Sequence, residues 1–179
     1  NPMKHQPRKR FGQNFLTDQQ VLDNMRLAIQ AKKDDHLIEI GPGMGALTQC
    51  LIKDCPQLDV IEIDRDLCTH LKLSFCDQPI TIHQEDALKF DFSILSPKPF
   101  RIIGNLPYNI STPILFHLLR FLPDIQDLYF LLQKEVVDRP AYGPGTSDYG
   151  RLGIMAQYYC KVEPLFIVGP GSFHPPPKV

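Results

Sequence analysis

Leu37-Ile-Glu-Ile-Gly-Pro-Gly-Met-Gly45 is a short apolar strand that stops at closely spaced glycines, and helical spacing resumes from Ala46. A strand, a glycine turn and a helix in that order open an α/β unit whose turn lets backbone approach a ligand. Outward from it, strand-like runs are predicted at 37–40, 59–63, 80–84, 100–103, 127–132 and 165–168. Helical segments at 46–54, 66–75, 112–121, 134–139 and 150–159 separate most of them. Upstream, Thr17-Asp-Gln-Gln20 has the form of a capping box, and Val21, Leu22, Met25, Ala28 and Ile29 recur at helical spacing, which predicts a first helix over 18–31. Such alternation builds a mostly parallel, Rossmann-like sheet with helices on both faces. Leu128-Tyr-Phe-Leu-Leu132 is apolar throughout, as expected of a strand buried on both sides.

Parallel sheets bind ligands beyond the carboxyl ends of their strands. By that rule the Gly41 turn, Glu62, Asp86 and Asn105, each following a strand, share one edge. Glu62 lies twenty-one positions after Gly41, where an acidic side chain can accept hydrogen bonds from ribose hydroxyls; the alternative is a solvated acid beside a tight turn. The spacing Gly-x-Gly-x-Gly departs from the dinucleotide fingerprint, so a pyrophosphate is disfavoured. A nucleoside without phosphates, such as S-adenosylmethionine, needs the close backbone approach and the carboxylate but no phosphate cradle. Asp86 either accepts from an adenine amino group or caps the turn that follows it.

The second informative junction is Arg101-Ile-Ile-Gly-Asn-Leu-Pro-Tyr-Asn-Ile-Ser-Thr-Pro113, an apolar run that ends in Asn105-Leu106-Pro107-Tyr108 and then starts a helix. The amino nitrogen of adenine has its lone pair delocalised into the ring and attacks an electrophile poorly unless held. An amide oxygen on Asn105 and a backbone carbonyl near Leu106 can accept its two hydrogens and turn the lone pair toward a methyl sulfonium. Pro107 stiffens the backbone there, and Tyr108 offers a face for stacking. Phe173, ahead of three prolines, is either a second stacking partner for an extruded base or a core aromatic. The competing reading of the tetrad is a strand-ending turn capped by Asn105.

A net charge of −1 excludes a generally basic protein, so nucleic acid must be met by a local patch. Lys4-His-Gln-Pro-Arg-Lys-Arg10 is such a patch or else a solvated tail, and the apolar residues of Phe11-Gly-Gln-Asn-Phe-Leu16 would tie it to the domain. Five cysteines, none in a Cys-x-x-Cys pair, and six scattered histidines predict neither a disulfide framework nor a metal site, and fit a reducing cytoplasm. No apolar run has the length of a membrane span. Pro140-Ala-Tyr-Gly-Pro-Gly-Thr-Ser-Asp148 reads as a lid or a surface connection.

The ordered blocks from Arg8 to Val179 resemble the rRNA adenine N6,N6-dimethyltransferase family, on its small-subunit branch. They are Arg8-Lys-Arg-Phe-Gly-Gln-Asn-Phe-Leu16, Glu39-Ile-Gly-Pro-Gly43, Val60-Ile-Glu-Ile-Asp64, Gly104-Asn-Leu-Pro-Tyr-Asn-Ile-Ser-Thr112, Gln133-Lys-Glu-Val-Val137, Tyr149-Gly-Arg-Leu152 and Pro175-Pro-Pro-Lys-Val179. The resemblance implies a seven-stranded methyltransferase sheet and S-adenosylmethionine as donor. It implies as acceptors two adjacent adenines near the 3′ end of small-subunit (16S) rRNA, met in an immature 30S particle by a cytoplasmic monomer. Residue by residue it assigns cofactor contacts to Asn14, Leu16, Gly41, Glu62, Asp86 and Asn105. Acceptor positioning falls to Asn105, Leu106, Pro107 and Tyr108, with Phe173 stacking. It divides the chain into a basic arm, 1–17, and a catalytic domain, 18–179; the family's further helical domain is expected to be absent from this chain. Two alternatives stand beside it: a large-subunit rRNA adenine methyltransferase, and a ribosome-assembly or RNA-binding factor in which methylation is secondary.

Overall fold

Apolar runs bounded by turns form strands here because each side of the sheet is covered. The computed structural model describes residues 15–16, 18–106, 109–131 and 173–174. The expectations for the basic arm with Asn14, for Pro107 and Tyr108, for the helices at 134–139 and 150–159, for the loop at 140–148 and for the strand at 165–168 lie outside the described residues. Strand β1 is Phe15–Leu16, followed by helix α1, Gln19–Ile29; β2 is Leu37–Ile40 and α2 Ala46–Asp54. Then come β3, Leu58–Ile61, α3, Arg65–Ser74, β4, Ile80–His83, and a 3-10 turn at Phe92–Ile94. Strand β5, Phe100–Asn105, leads through α4, Ser111–Leu118, and a 3-10 turn, Leu119–Asp124, to β6, Ile125–Leu131; β7 is Phe173–His174.

The main sheet has the order β4-β3-β2-β5-β6, and every pairing in it is parallel. The chain winds outward from β2 to β4, then returns to the other side of β2 as β5, so the strand order reverses between β2 and β5. A doubly wound sheet opens its ligand crevice at such a reversal. Alternate residues of the strands feed two cores. On one face Leu37, Leu58, Val60 and Ile103 pack with Val21, Leu22 and Met25 of α1 and Leu51 of α2. On the other, Ile38, Ile40 and Ile102 pack with Phe90, Phe92 and Ile114.

Helix boundaries follow local chemistry. The first helix starts one residue later than the spacing suggests, because Asp18 is its cap: the Asp18 carboxylate accepts from the N–H groups of Gln20 at 2.9 Å and Val21 at 3.4 Å. The helix ends at Gln30, which turns into the left-handed region with φ of 47°. The helix expected over 112–121 is instead α4 plus a 3-10 turn, since Pro123 lacks the N–H that an α-helical bond needs there. The short turn at Phe92–Ile94, not foreseen from the sequence, sinks the Phe92 ring into the core.

At the amino edge of the sheet, Arg101 is buried and fully engaged. Its guanidinium donates to Asp127 Oδ1 at 2.9 Å, to Asp35 Oδ2 at 2.9 Å and to the Ile29 carbonyl at 2.6 Å. This ties α1, β5 and β6 together on the side opposite the crevice. Replacing Arg101 with Met leaves two carboxylates and a carbonyl without their common donor. Arg101→Met is expected to lower stability by about 3 kcal/mol in urea unfolding, with the midpoint shifted and the slope unchanged.

Candidate active site at the β2–β5 rim

The parallel register aligns Ile40 of β2 with Gly104 of β5, so both strands end side by side. Gly41 takes up the chain at φ of 67° and its N–H donates to the Ile61 carbonyl at 2.9 Å. A Cβ at Gly41 would stand 3.5 Å from the Asn105 carbonyl oxygen, so the glycine turn and the Asn105 end of β5 lie side by side on one rim.

Glu62 follows β3 and folds back onto the turn. Its carboxylate accepts from the Gly43 N–H at 3.4 Å and the Asp64 N–H at 3.0 Å, and only 6% of the residue is exposed. Burial pushes its carboxyl up to about 7, against the pull of those N–H donors. The Glu62 carbonyl accepts from the Glu85 N–H at 3.2 Å, which brings the loop carrying Asp86 alongside. Asp86 Oδ1 accepts from the Leu88 N–H at 3.0 Å, the capping geometry that was one of its two readings. Gly41, Glu62, Asp86 and Asn105 thus lie along one continuous edge. Leu106 buries its side chain in the core, and its N–H donates to the Leu131 carbonyl at 3.4 Å, so a contact from this residue to a ligand must come from its backbone. Leu16 and Phe173 are brought together as register partners of the antiparallel pair β1–β7.

Three features of the rim were not singled out in the sequence. Glu39, in the middle of β2, is 2% exposed and accepts from the Thr48 hydroxyl of α2 at 2.5 Å. Burial, reinforced by the charge of Glu62, pushes its carboxyl up to about 7 despite that hydrogen bond. An acid inside an apolar strand was the available signal. Ile63, between Glu62 and Asp64, is 42% exposed, a large apolar side chain left at the mouth of the crevice. Its signal was an apolar residue placed beyond the strand's last paired position. His70 of α3 bonds the Met44 carbonyl at 3.1 Å, and nothing in the sequence marked it.

The ribosomal RNA adenine dimethylase family matches residues 4–179. The chain belongs to the ribosomal RNA adenine dimethylase family. It is 58% identical over 179 residues to ribosomal RNA small subunit methyltransferase A of Pseudomonas syringae pv. tomato, covering 98% of this chain and 67% of that protein. Among solved structures it is similar to a dimethyladenosine transferase from Plasmodium falciparum, with a TM-score of 0.78, 31% identity and coverage of 92% of this chain and 59% of that one. It is also similar to the 23S rRNA methyltransferase ErmE, with a TM-score of 0.71, 27% identity and coverage of 93% and 66%. The chain thus spans about two thirds of the length of the curated relative and less of the Plasmodium enzyme.

The fold is that of the S-adenosylmethionine-dependent, Rossmann-like methyltransferases, and S-adenosylmethionine is the family's cofactor. The rim fits this group. Gly41, at φ of 67°, turns the chain beside the Asn105 carbonyl, and Glu62 presents a buried carboxylate whose partners here are backbone N–H groups. Among the described residues no cluster of three or more His, Cys, Asp or Glu is placed to hold a metal, and no helix is long and apolar enough to cross a membrane.

Glu39 gives a test of the rim's electrostatics. Its folded-state pKa, raised from 4.5 to about 7, means the neutral form stabilises the fold below pH 4.5 and that contribution is lost as pH rises through 7. Glu39→Gln keeps the acceptor for Thr48 and removes the charge. Unfolding at pH 8 is expected to show the variant more stable by roughly 1–3 kcal/mol, the gain shrinking toward zero at pH 5.

Proposed function

We propose that this chain carries the catalytic part of an enzyme that dimethylates the exocyclic amino groups of two adjacent adenines near the 3′ end of small-subunit rRNA. Residues 18–179 are the catalytic domain and 1–17 an RNA-facing arm. The enzyme works in the cytoplasm as a monomer on an immature 30S particle. The observation that supports the reading is the nearness of the Gly41 turn to the Asn105 end of β5, where a Cβ built on Gly41 would lie 3.5 Å from the Asn105 carbonyl oxygen. The small-subunit assignment is supported by 58% identity to the Pseudomonas protein against 27% to ErmE.

The cofactor, when bound, supplies an electrophilic methyl group on a sulfonium. Glu62 accepts the ribose hydroxyls on the carboxylate lone pairs that the Gly43 and Asp64 N–H groups leave open. Asp86 accepts from the cofactor's adenine amino group with the oxygen left by its turn-capping role, and Ile63 lends apolar surface to the same ring. Asn14 and Leu16 of the arm complete this half of the site. On the acceptor side, Asn105 Oδ1 and the carbonyl near Leu106 take the two N–H bonds of the target amine, so that its lone pair turns toward the methyl. Pro107 holds that carbonyl in place, while Tyr108 and Phe173 stack the extruded base. A strong base is unnecessary, because the amine becomes acidic once alkylated and releases its proton to water.

Methyl transfer from labelled S-adenosylmethionine tests the reading in the full-length protein. Label is expected on adenines of immature small subunits and not on large-subunit rRNA. Label on large-subunit rRNA alone would move the chain to the other branch, and cofactor binding without transfer would favour an assembly factor. Asn105→Ala is expected to lower turnover by about a hundredfold or more while sparing the fold, since the amine loses its orienting acceptor. Glu62→Ala is expected to weaken cofactor binding by about tenfold with turnover at saturation largely kept. Because Glu62 accepts on both oxygens only when ionised and its carboxyl lies at about 7, cofactor affinity rises with pH up to that point. Calorimetric Kd values should weaken by about tenfold in all as pH falls from about 8 to about 5.5, approaching the loss in Glu62→Ala, and flat affinity over that range would exclude this role for Glu62.

A further inference from the structure

The glycine turn is held from outside by one helix. Gly43 and Gly45 sit at φ of 59° and 89°, and glycine backbone is free enough that such a turn must be selected by its surroundings. The peptide between Met44 and Gly45 is fixed at both ends. Its N–H, on Gly45, donates to the Pro42 carbonyl at 2.9 Å, and its carbonyl, on Met44, meets His70 Nε2 at 3.1 Å. A carbonyl oxygen only accepts, so His70 Nε2 carries the hydrogen and donates it. Ser74 Oγ stands 3.3 Å from the same nitrogen, one turn further along α3.

Around this bond α3 closes on the turn by packing. A Cβ at Gly45 would lie 2.8 Å from Phe75 Cε2 and 3.0 Å from Leu71 Cδ2, so the end of the helix is pressed against the glycine itself. The other end of α3 is tied to the ribose acid: Asp64 caps the helix by accepting from Asp66 at 2.8 Å and Leu67 at 3.2 Å, and its own N–H donates to Glu62 at 3.0 Å. One rigid element therefore reaches Glu62 at its start and Met44 through His70 in its last turns.

We infer that His70 is a positioning residue, whose Nε2–H bond to the Met44 carbonyl fixes the glycine turn at its spacing from Glu62 and so sets the affinity for the nucleoside cofactor. This rests on the reading of that turn as the cofactor's seat. The imidazole meets the turn at the Met44 carbonyl and acts through that backbone.

Two variants separate the donor from the bulk: His70→Gln keeps an N–H at similar reach, and His70→Leu keeps volume without a donor. Thr69→Ala, which removes an exposed bond within α3 to the Arg65 carbonyl, controls for the helix. Amide exchange of Gly45 by NMR, in the ligand-free protein, reads the turn directly, and titration with S-adenosylhomocysteine reads the seat. His70→Leu is expected to speed Gly45 exchange and weaken the ligand by roughly three- to tenfold, with kcat at saturating cofactor unchanged. His70→Gln and Thr69→Ala are expected to stay within about twofold of the parent on both readouts. Unchanged Gly45 exchange in His70→Leu, equal ligand affinity in His70→Leu and parent, or a Gln variant as weak as Leu would each overturn the inference. Faster Gly45 exchange in His70→Leu, with a parent protein that binds no S-adenosylhomocysteine, would uphold the hold on the turn and overturn the cofactor reading instead.

Discussion

Parallel pairing of β2 with β5 is the constraint from which the site follows. Once Ile40 lies opposite Gly104, the residues that leave the two strands must emerge next to each other, and the sheet cannot place them otherwise. The chain reaches this pairing by running out to β4 and back, which opens a crevice between loops that would be closed by a direct connection. Everything placed on the rim inherits its position from that reversal. Glycine is favoured at position 41 because the turn there runs at φ of 67°, a backbone conformation that a residue with a side chain adopts only under strain.

Electrostatically the rim is unusual in holding two buried acids, Glu39 and Glu62, with backbone and hydroxyl donors rather than cations as their partners. Burial raises both carboxyls to about 7, so each titrates close to physiological pH. Such acids cost stability when ionised, and a fold retains them where a ligand supplies what the protein withholds. At the opposite edge the sequence takes the other course: Arg101 donates to Asp35, Asp127 and the Ile29 carbonyl, and that cluster ties α1 to the strands. One end of the sheet is built to be stable, the other to receive.

Much of this was legible in the order of residues. Strands β2, β3 and β5 showed as apolar runs because they are covered on both faces, whereas β4 and the apolar β6 are only partly buried among the described residues, and the rim residues showed because each follows a strand. Boundaries were less legible. The cap of α1 fell to Asp18 rather than Thr17, since a single carboxylate could serve two N–H groups, and the end of α4 was set by Pro123, whose effect is felt several residues earlier. What the sequence hid were contacts between distant segments. Glu39 and Thr48 meet only because α2 lies across β2, and His70 reaches Met44 across twenty-six positions through the packing of α3 on a glycine. Asp86 shows the limit from the other side: an acid after a strand is a turn cap by its geometry here, whatever ligand it also meets.

The most direct test is a crystal structure of the protein with S-adenosylhomocysteine bound. The account requires the ribose hydroxyls on the Glu62 carboxylate and the sulfur at the gap between the Gly41 turn and the end of β5, within reach of an amine held by Asn105. A ligand seated at another edge of the sheet, with the rim between Gly41 and Asn105 left uncovered, would contradict it.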